Sequence, residues 1–252
     1  MSIPRLFVDQ ALAANSEVTL RGDAARYIGR VLRARPGDRL TLFDGRGEEF
    51  STRIQQIDKN CIELRLGEGS RRDTESPLEV RLLQGISRGD RMDFVVQKST
   101  ELGVHRITPL QTEFSVVRLN AQRAAKRLQH WQGICASACE QCGRNVLPVI
   151  DGALTLSDFL SLKCPTETTR LMLSPEATET MESLKKPTGS VELLIGPEGG
   201  FSEQESTLAR QHGFLPIAIG PRVLRTETAA VAAVALVQAF WGDLGGVPRP
   251  GS

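Results

Sequence analysis

No stretch of the sequence approaches the roughly 20 consecutive apolar residues that cross a bilayer, so nothing in it reads as a transmembrane helix. Its opening residues, MSIPRLFVDQ, lack the apolar centre of a secretion signal, and the expected location is the cytoplasm. Aromatic residues make up only 5% of the chain. The three histidines, His105, His130 and His212, are scattered without a supporting partner pattern and are expected to be incidental. Five cysteines, an odd number with no secretory signal, favour reduced thiols over a disulfide framework. An excess of charge is also missing: the net value is +1, which as a whole points to no partner, so charge arguments must be local. What is present is an ordinary globular composition, 252 residues with 40% hydrophobic and 24% charged side chains, long enough for one large or two modest cores.

Residues 5 to 66 show short alternating runs between Gly, Asp and Asn turn signals, the pattern of a small β-barrel or sandwich. One helical segment interrupts them. Asp23 is placed to cap it, Ile28, Val31 and Leu32 recur at near-helical spacing, and Pro36-Gly37 end it. The polar stretch GEGSRRDTESP, residues 67–77, breaks all periodicity and marks a domain boundary. Beyond it, strand patterns (LEVRLLQ, RITPL, TRLMLSP, VELLIG, LPIAIG) alternate with helical ones, including segments near 120–142 and 226–241. That alternation predicts an α/β layer with a mostly parallel sheet, whose ligands bind beyond the carboxyl ends of the strands. The expected domains are residues 1–70 and 75–243, followed by a disordered tail at 244–252.

Two stretches stand out within the second domain. In VELLIGPEGGF, residues 191–201, an apolar strand stops at Gly-Pro, carries Glu198, and continues through two glycines to Ser202, an expected helix cap. The stretch has neither a Walker ending nor dinucleotide-binding spacing, and Glu198 would repel phosphate; a plain tight turn remains the alternative to a ligand loop. In AIGPRVLRTETAAVAAVALVQAFW, Arg222 and Arg225 flank Val223 and Leu224, Thr226 is placed to cap a helix, and Glu227 falls in its first turn. From Ala229 to Trp241 that helix is apolar nearly all round, so it fills a core or a subunit interface.

Cys135, Cys139 and Cys142 have the C-x3-C-x2-C spacing of iron-sulfur ligands. They fall inside a helical pattern, where i, i+4 and i+7 form a stripe suited to packing, and no metal is expected. Basic residues cluster in two places. Arg21, Arg26, Arg30, Arg33, Arg35 and Arg39 face only Asp23 and Asp38, with Arg26, Arg30 and Arg33 expected on one helix face, and Arg118, Arg123, Lys126 and Arg127 form a second run. Such stripes neutralise RNA phosphates, although most charged helix faces are merely solvated.

The motifs KSTELGV (98–104), ACEQCGRN (138–145), LLIGPEGGFSEQE (193–205) and GPRVLRTETA (220–229) together resemble the RsmE family, small-subunit rRNA uridine methyltransferases of the SPOUT superfamily. The resemblance runs in order along nearly the whole chain. It implies an N-terminal PUA-like RNA-binding barrel, a C-terminal α/β domain with a trefoil knot, a homodimer, and S-adenosylmethionine as donor for methylation of uridine ring nitrogen 3 in 16S rRNA of the 30S subunit. It also implies three cofactor loops, containing Leu171, Leu173 and Ser174; Ile195, Gly196, Glu198, Gly199 and Gly200; and Ile219, Gly220, Arg222, Leu224, Arg225 and Thr226. For a weakly acidic uracil N–H, the catalytic candidates are Arg225 and Arg144 as cations that favour the uridylate, with Glu198 and Glu227 as bases. RNA contacts are expected from Arg5, Arg26, Arg30, Arg33, Arg123, Lys126 and Arg127. Methylation of tRNA or of a ribose hydroxyl, and a non-catalytic RNA-binding module, are the competing readings.

Overall fold

A computed structural model of the chain describes residues 3–115, 120–163 and 165–246. Arg118 of the second basic run and residues 247–252 of the expected tail lie outside these. The chain divides into two compact units, one comprising the residues up to Glu75 together with Cys139–Leu147, the other running from Ser76 through the remainder.

The first unit is a five-stranded sheet built from β1 (Arg5–Phe7), β2 (Glu17–Arg21), β3 (Arg39–Phe43), β4 (Glu48–Ile57) and β5 (Cys61–Arg71), in the order β1-β3-β4-β5-β2. Only the β1–β3 pair is parallel. Period-two alternation does the sorting: Phe50, Thr52 and Ile54 of β4 turn inward while Ser51 and Arg53 turn to solvent. Ile54 joins Leu20, Ile28, Leu40, Leu42, Ile62 and Leu64 in one core. Burying each such leucine or isoleucine contributes about 1.5–3 kcal/mol. β5 continues to Arg71, past the expected boundary at residue 67, because Glu48 and Glu49 of β4 pair with Arg71 and Ser70 and extend the ladder. The distant segment 139–147 is tied in by polar contacts: Arg5 Nη2 donates to Asn145 Oδ1 at 2.7 Å, and Glu140 Oε1 accepts from the Phe7 N–H at 2.9 Å.

The expected helix near Asp23 differs in kind. Its α-helical part, α1, covers only Gly22–Arg26, and the chain then winds into a π-helix over Tyr27–Val31. Asp23 caps nothing; its carboxylate pairs with Arg26. Arg33 lies past the helix in a left-handed conformation, φ 52°. The i, i+4, i+7 stripe of Arg26, Arg30 and Arg33 therefore does not form, because a wider turn and a reversal replace the regular 100° step.

The second unit is the predicted α/β layer. Its strands are β6 (Val80–Gly85), β7 (Arg106–Gln111), β8 (Val149–Ile150), β9 (Leu154–Thr155), β10 (Thr169–Leu173), β11 (Val191–Ile195) and β12 (Leu215–Ile217). They run in the order β12-β10-β11-β6-β7-β8, with β9 also on β7, and every pairing is parallel. The central strands bury apolar residues on both faces, as a doubly covered parallel sheet requires. Leu82 and Leu193 point into a core shared with Val95 and Val96 of α2 (Asp90–Glu101), Trp131 and Cys135 of α3 (Ala121–Cys142), and Val234 and Val237 of α6 (Thr226–Phe240). Leu83, Met172 and Leu194 point the other way, onto Phe159 and Leu160 of α4 (Leu156–Leu160) and Ala209 of α5 (Glu203–Gln211). Among the described residues no helix is long and apolar enough to cross a membrane.

Candidate functional site

The carboxyl ends of β12, β10 and β11, three neighbours in the sheet, open onto a cavity of about 720 Å³. Three loops line it: Leu173–Glu176 after β10, Ile195–Phe201 after β11, and Ile219–Thr226 after β12. Arg91, at the start of α2, completes the wall. Small-molecule sites typically fall between about 300 and 1,000 Å³, so this one accepts a nucleoside-sized guest.

The β11 loop owes its shape to glycine. Gly200 adopts φ +70° and donates its N–H to the Pro197 carbonyl at 2.9 Å, closing a tight turn. Next to it in the sheet, a Cβ on Gly85 at the end of β6 would sit 2.4 Å from the Pro197 nitrogen, so the two backbones pack at a distance no side chain permits. Ser202 then starts α5 as expected, accepting from the Glu205 N–H while Glu205 returns the bond to the Ser202 N–H.

Thr226 departs from its expected role. Arg225 occupies the cap position of α6 without a side-chain capping bond. The Thr226 hydroxyl instead donates to the Gly196 carbonyl at 2.6 Å and accepts from the buried Gln84 amide at 3.0 Å. One threonine thus ties the β11 loop to the start of α6 and to β6.

Charge is arranged around an apolar floor. Leu173, Ile195, Ile217, Ile219 and Leu224 supply the floor, while Arg222 and Arg225 are exposed beside Val223. Glu198 accepts from the Arg88 N–H at 3.1 Å and from Arg91 Nη1 at 2.7 Å. Burial alone would raise its pKa, but backbone N–H bonds from its own residue and Arg88, together with the Arg91 guanidinium, outweigh this and hold the carboxyl below the usual range. Glu227, in the first turn of α6, lies behind the cavity-lining residues and brings Oε1 to 3.9 Å from Nε of Arg91, a residue of the wall. Its Oε2 is buried and has no hydrogen-bond partner among the described residues.

Thirteen of the sequence-proposed cofactor residues line the cavity: Leu173, Ser174, Ile195, Gly196, Glu198, Gly199, Gly200, Ile219, Gly220, Arg222, Leu224, Arg225 and Thr226. Leu171 does not; it sits two residues deeper in β10, fully buried in the core. Arg144 belongs to the first unit, where it is 3% exposed and its guanidinium grips Glu75, with Nη2 at 2.5 Å from Oε2. Burial would lower its pKa, but the Glu75 carboxylate more than compensates and raises it. Arg5 is likewise engaged, pairing with Glu49, stacking on Phe43 and holding Asn145. Arg26, Arg30 and Arg33 are exposed in the first unit, and Arg123 and Lys126 are exposed on α3 with Arg127 half-buried beside them. Cys135 lies in the core against the Thr100 hydroxyl at 3.2 Å, and no group of three His, Cys, Asp or Glu suited to a metal occurs among the described residues.

The sequence reading did not select Arg91. The signal available for it was positional, a helix start beyond the carboxyl end of β6, where α/β sheets place ligand groups.

A family model described as RNA methyltransferase domain matches residues 74–238, and one described as RNA methyltransferase PUA domain matches residues 20–67. Ribosomal RNA small subunit methyltransferase E of Buchnera aphidicola is 38% identical over 242 residues, covering 96% of this chain and 98% of its own length. The crystal structure of a ribosomal RNA small subunit methyltransferase E from Neisseria gonorrhoeae, bound to S-adenosyl methionine, superposes with a TM-score of 0.89 at 41% identity, covering 96% of this chain and 99% of the other. A putative methyltransferase from Legionella pneumophila in complex with the same cofactor gives a TM-score of 0.92 at 40% identity, covering 97% and 100%.

Proposed function

This chain belongs to the ribosomal RNA small subunit methyltransferase E family, and we propose that it methylates ring nitrogen 3 of one uridine in 16S rRNA of the 30S subunit, with S-adenosylmethionine as donor. The observation that carries the proposal is the convergence of three loops from adjacent strands on one cavity with an apolar floor and a cationic rim. That wall suits the donor. Leu173, Ile195, Ile219 and Leu224 offer apolar surface to an adenine, the glycine backbone offers N–H and C=O groups to its edge, and charged groups of both signs stand ready for an amino acid moiety.

When bound, the donor supplies a methyl group on a positively charged sulfur. The protein's own part is positional and electrostatic. Arg225, exposed at the rim, donates to a uracil carbonyl oxygen and stabilises the negative charge that spreads there when N3 loses its proton. Glu227 is the stronger candidate to accept that proton, because its Oε2 has no hydrogen-bond partner among the described residues whereas Glu198 is occupied by Arg88 and Arg91. Glu198 positions Arg91. Arg144 holds segment 139–147 onto the first unit through Glu75.

RNA is held by the exposed arginines Arg26, Arg30 and Arg33 and by Arg123, Lys126 and Arg127. The enzyme works in the cytoplasm as a homodimer, for which α6 and its end offer an apolar patch with Phe240 46% and Leu244 45% exposed. The SPOUT trefoil knot of the family is the proposed path of the β11 loop and the chain after β12. The test is incubation with tritium-labelled donor and either 30S subunits or tRNA, followed by mapping of the modified nucleoside. Label at uridine N3 in 16S rRNA is the expected result; label in tRNA alone, or on a ribose hydroxyl, refutes the substrate assignment.

A further inference from the structure

Across the strands of the second sheet, charge alternates in sign. Arg106, Asp151, Arg81, Glu192 and Arg170 form a chain of ion pairs with successive separations of 2.8, 2.9, 3.6 and 2.9 Å. The first sheet does the opposite. Arg39 of β3 stands directly opposite Arg53 of β4, and Arg53 directly opposite Arg65 of β5, giving three arginines in one row on the solvent face. Directly opposed side chains approach within about 5 Å at Cβ, and like charges there destabilise a sheet. Little offsets the repulsion: among the described residues Arg39 and Arg53 form no ion pair, and Arg65 reaches only Glu17, at 4.0 Å. The neighbouring row on the same face carries the hydroxyls of Thr41 and Ser51, which are also paired across strands.

A row that weakens the sheet when empty is stabilised by an anion laid along it. We propose that Arg39, Arg53 and Arg65 bind successive phosphates of an RNA backbone, with Thr41 and Ser51 as hydroxyl donors beside them. Three planar guanidinium forks match phosphate oxygens in pairs. The proposal rests on the reading that this chain acts on RNA, and it adds a surface distinct from the arginines near Tyr27. RNA is favoured over an acidic protein because all three residues fall within the segment that matches an RNA methyltransferase PUA domain.

The test uses the full chain and a fluorescein-labelled oligouridylate, with anisotropy read over a range of salt. Arg39→Thr, Arg53→Thr and Arg65→Thr are compared with Arg71→Thr, which removes an exposed arginine already paired with Glu48 at 3.3 Å. Each row variant is expected to weaken binding several-fold and to reduce the slope of log affinity against log salt by about 0.7. Arg53→Thr, which removes the middle charge, is also expected to raise the melting temperature by about 1–3 °C. Row variants that bind like the wild type, or lose no more than Arg71→Thr, overturn the proposal; so does tighter wild-type binding of polyglutamate than of the oligouridylate. Calorimetry with S-adenosylmethionine separates the two readings: a wild type that binds donor, with row variants unaffected in RNA binding, sinks the row alone, whereas failure to bind donor sinks the enzyme.

Discussion

At the scale of single residues, the site is a division of labour between carboxylates that look alike in sequence. Glu198 is engaged by Arg88 and Arg91, and Glu227 keeps one oxygen without a partner among the described residues. Replacing Glu227 by Gln should lower kcat by about 100-fold or more, leave donor affinity near that of the wild type, and recover part of the loss at high pH, where N3 ionises without help. Arg225→Ala should cost about 100-fold in kcat by removing a donor to the developing negative charge, as single-turnover assays will show. The pH dependence follows from Glu198. Its folded pKa lies below the ordinary 4.5, so between the two values the native state binds fewer protons than the unfolded state. Its contribution is present above about pH 4.5 and is lost as pH falls through the folded value. Glu198→Gln should remove that acid limb from both donor affinity and thermal stability, measured across the acid range.

At the scale of elements, the ligand loops depend on close backbone packing more than on any side chain. Gly85→Ala would place a methyl 2.4 Å from the Pro197 nitrogen. Overpacking of this kind costs about 1–3 kcal/mol, and calorimetry should show donor affinity falling at least tenfold as the β11 loop is displaced. Ser202→Ala should lower stability by about 1 kcal/mol in denaturant titration by removing one half of the capping box. The Ser202 half of that box was legible in the sequence because a cap is a local signal, as were the parallel α/β alternation and α6. The reading ran out where partners are distant or the local geometry is unusual. Arg91 meets Glu198 across 107 positions, Thr226 finds Gly196 across 30, and the π-turn after Arg26 carries Ile28 into a core built by distant strands. Sequence pattern groups Leu171 with the loop after β10, and the strand register carries it into the core instead.

At the scale of the whole molecule, the apolar helix α6 is buried or half-buried along most of its length and exposed at its end. Ala230, Ala233, Val234 and Val237 close the core, while Phe240 remains exposed beyond them. If α6 carries the proposed dimer contact, Phe240→Glu should convert the dimer to a monomer in light scattering while leaving the fold intact by circular dichroism. Within the first unit, Glu140, Arg144 and Asn145 of the ACEQCGRN motif fasten segment 139–147 through Phe7, Glu75 and Arg5. The most direct measurement is a crystal structure grown with S-adenosylmethionine. The nucleoside is expected between Leu173–Glu176, Ile195–Phe201 and Ile219–Thr226, with its sulfur facing the Arg225 side; donor density elsewhere, or a cavity that stays free of it at saturating concentration, would contradict the account.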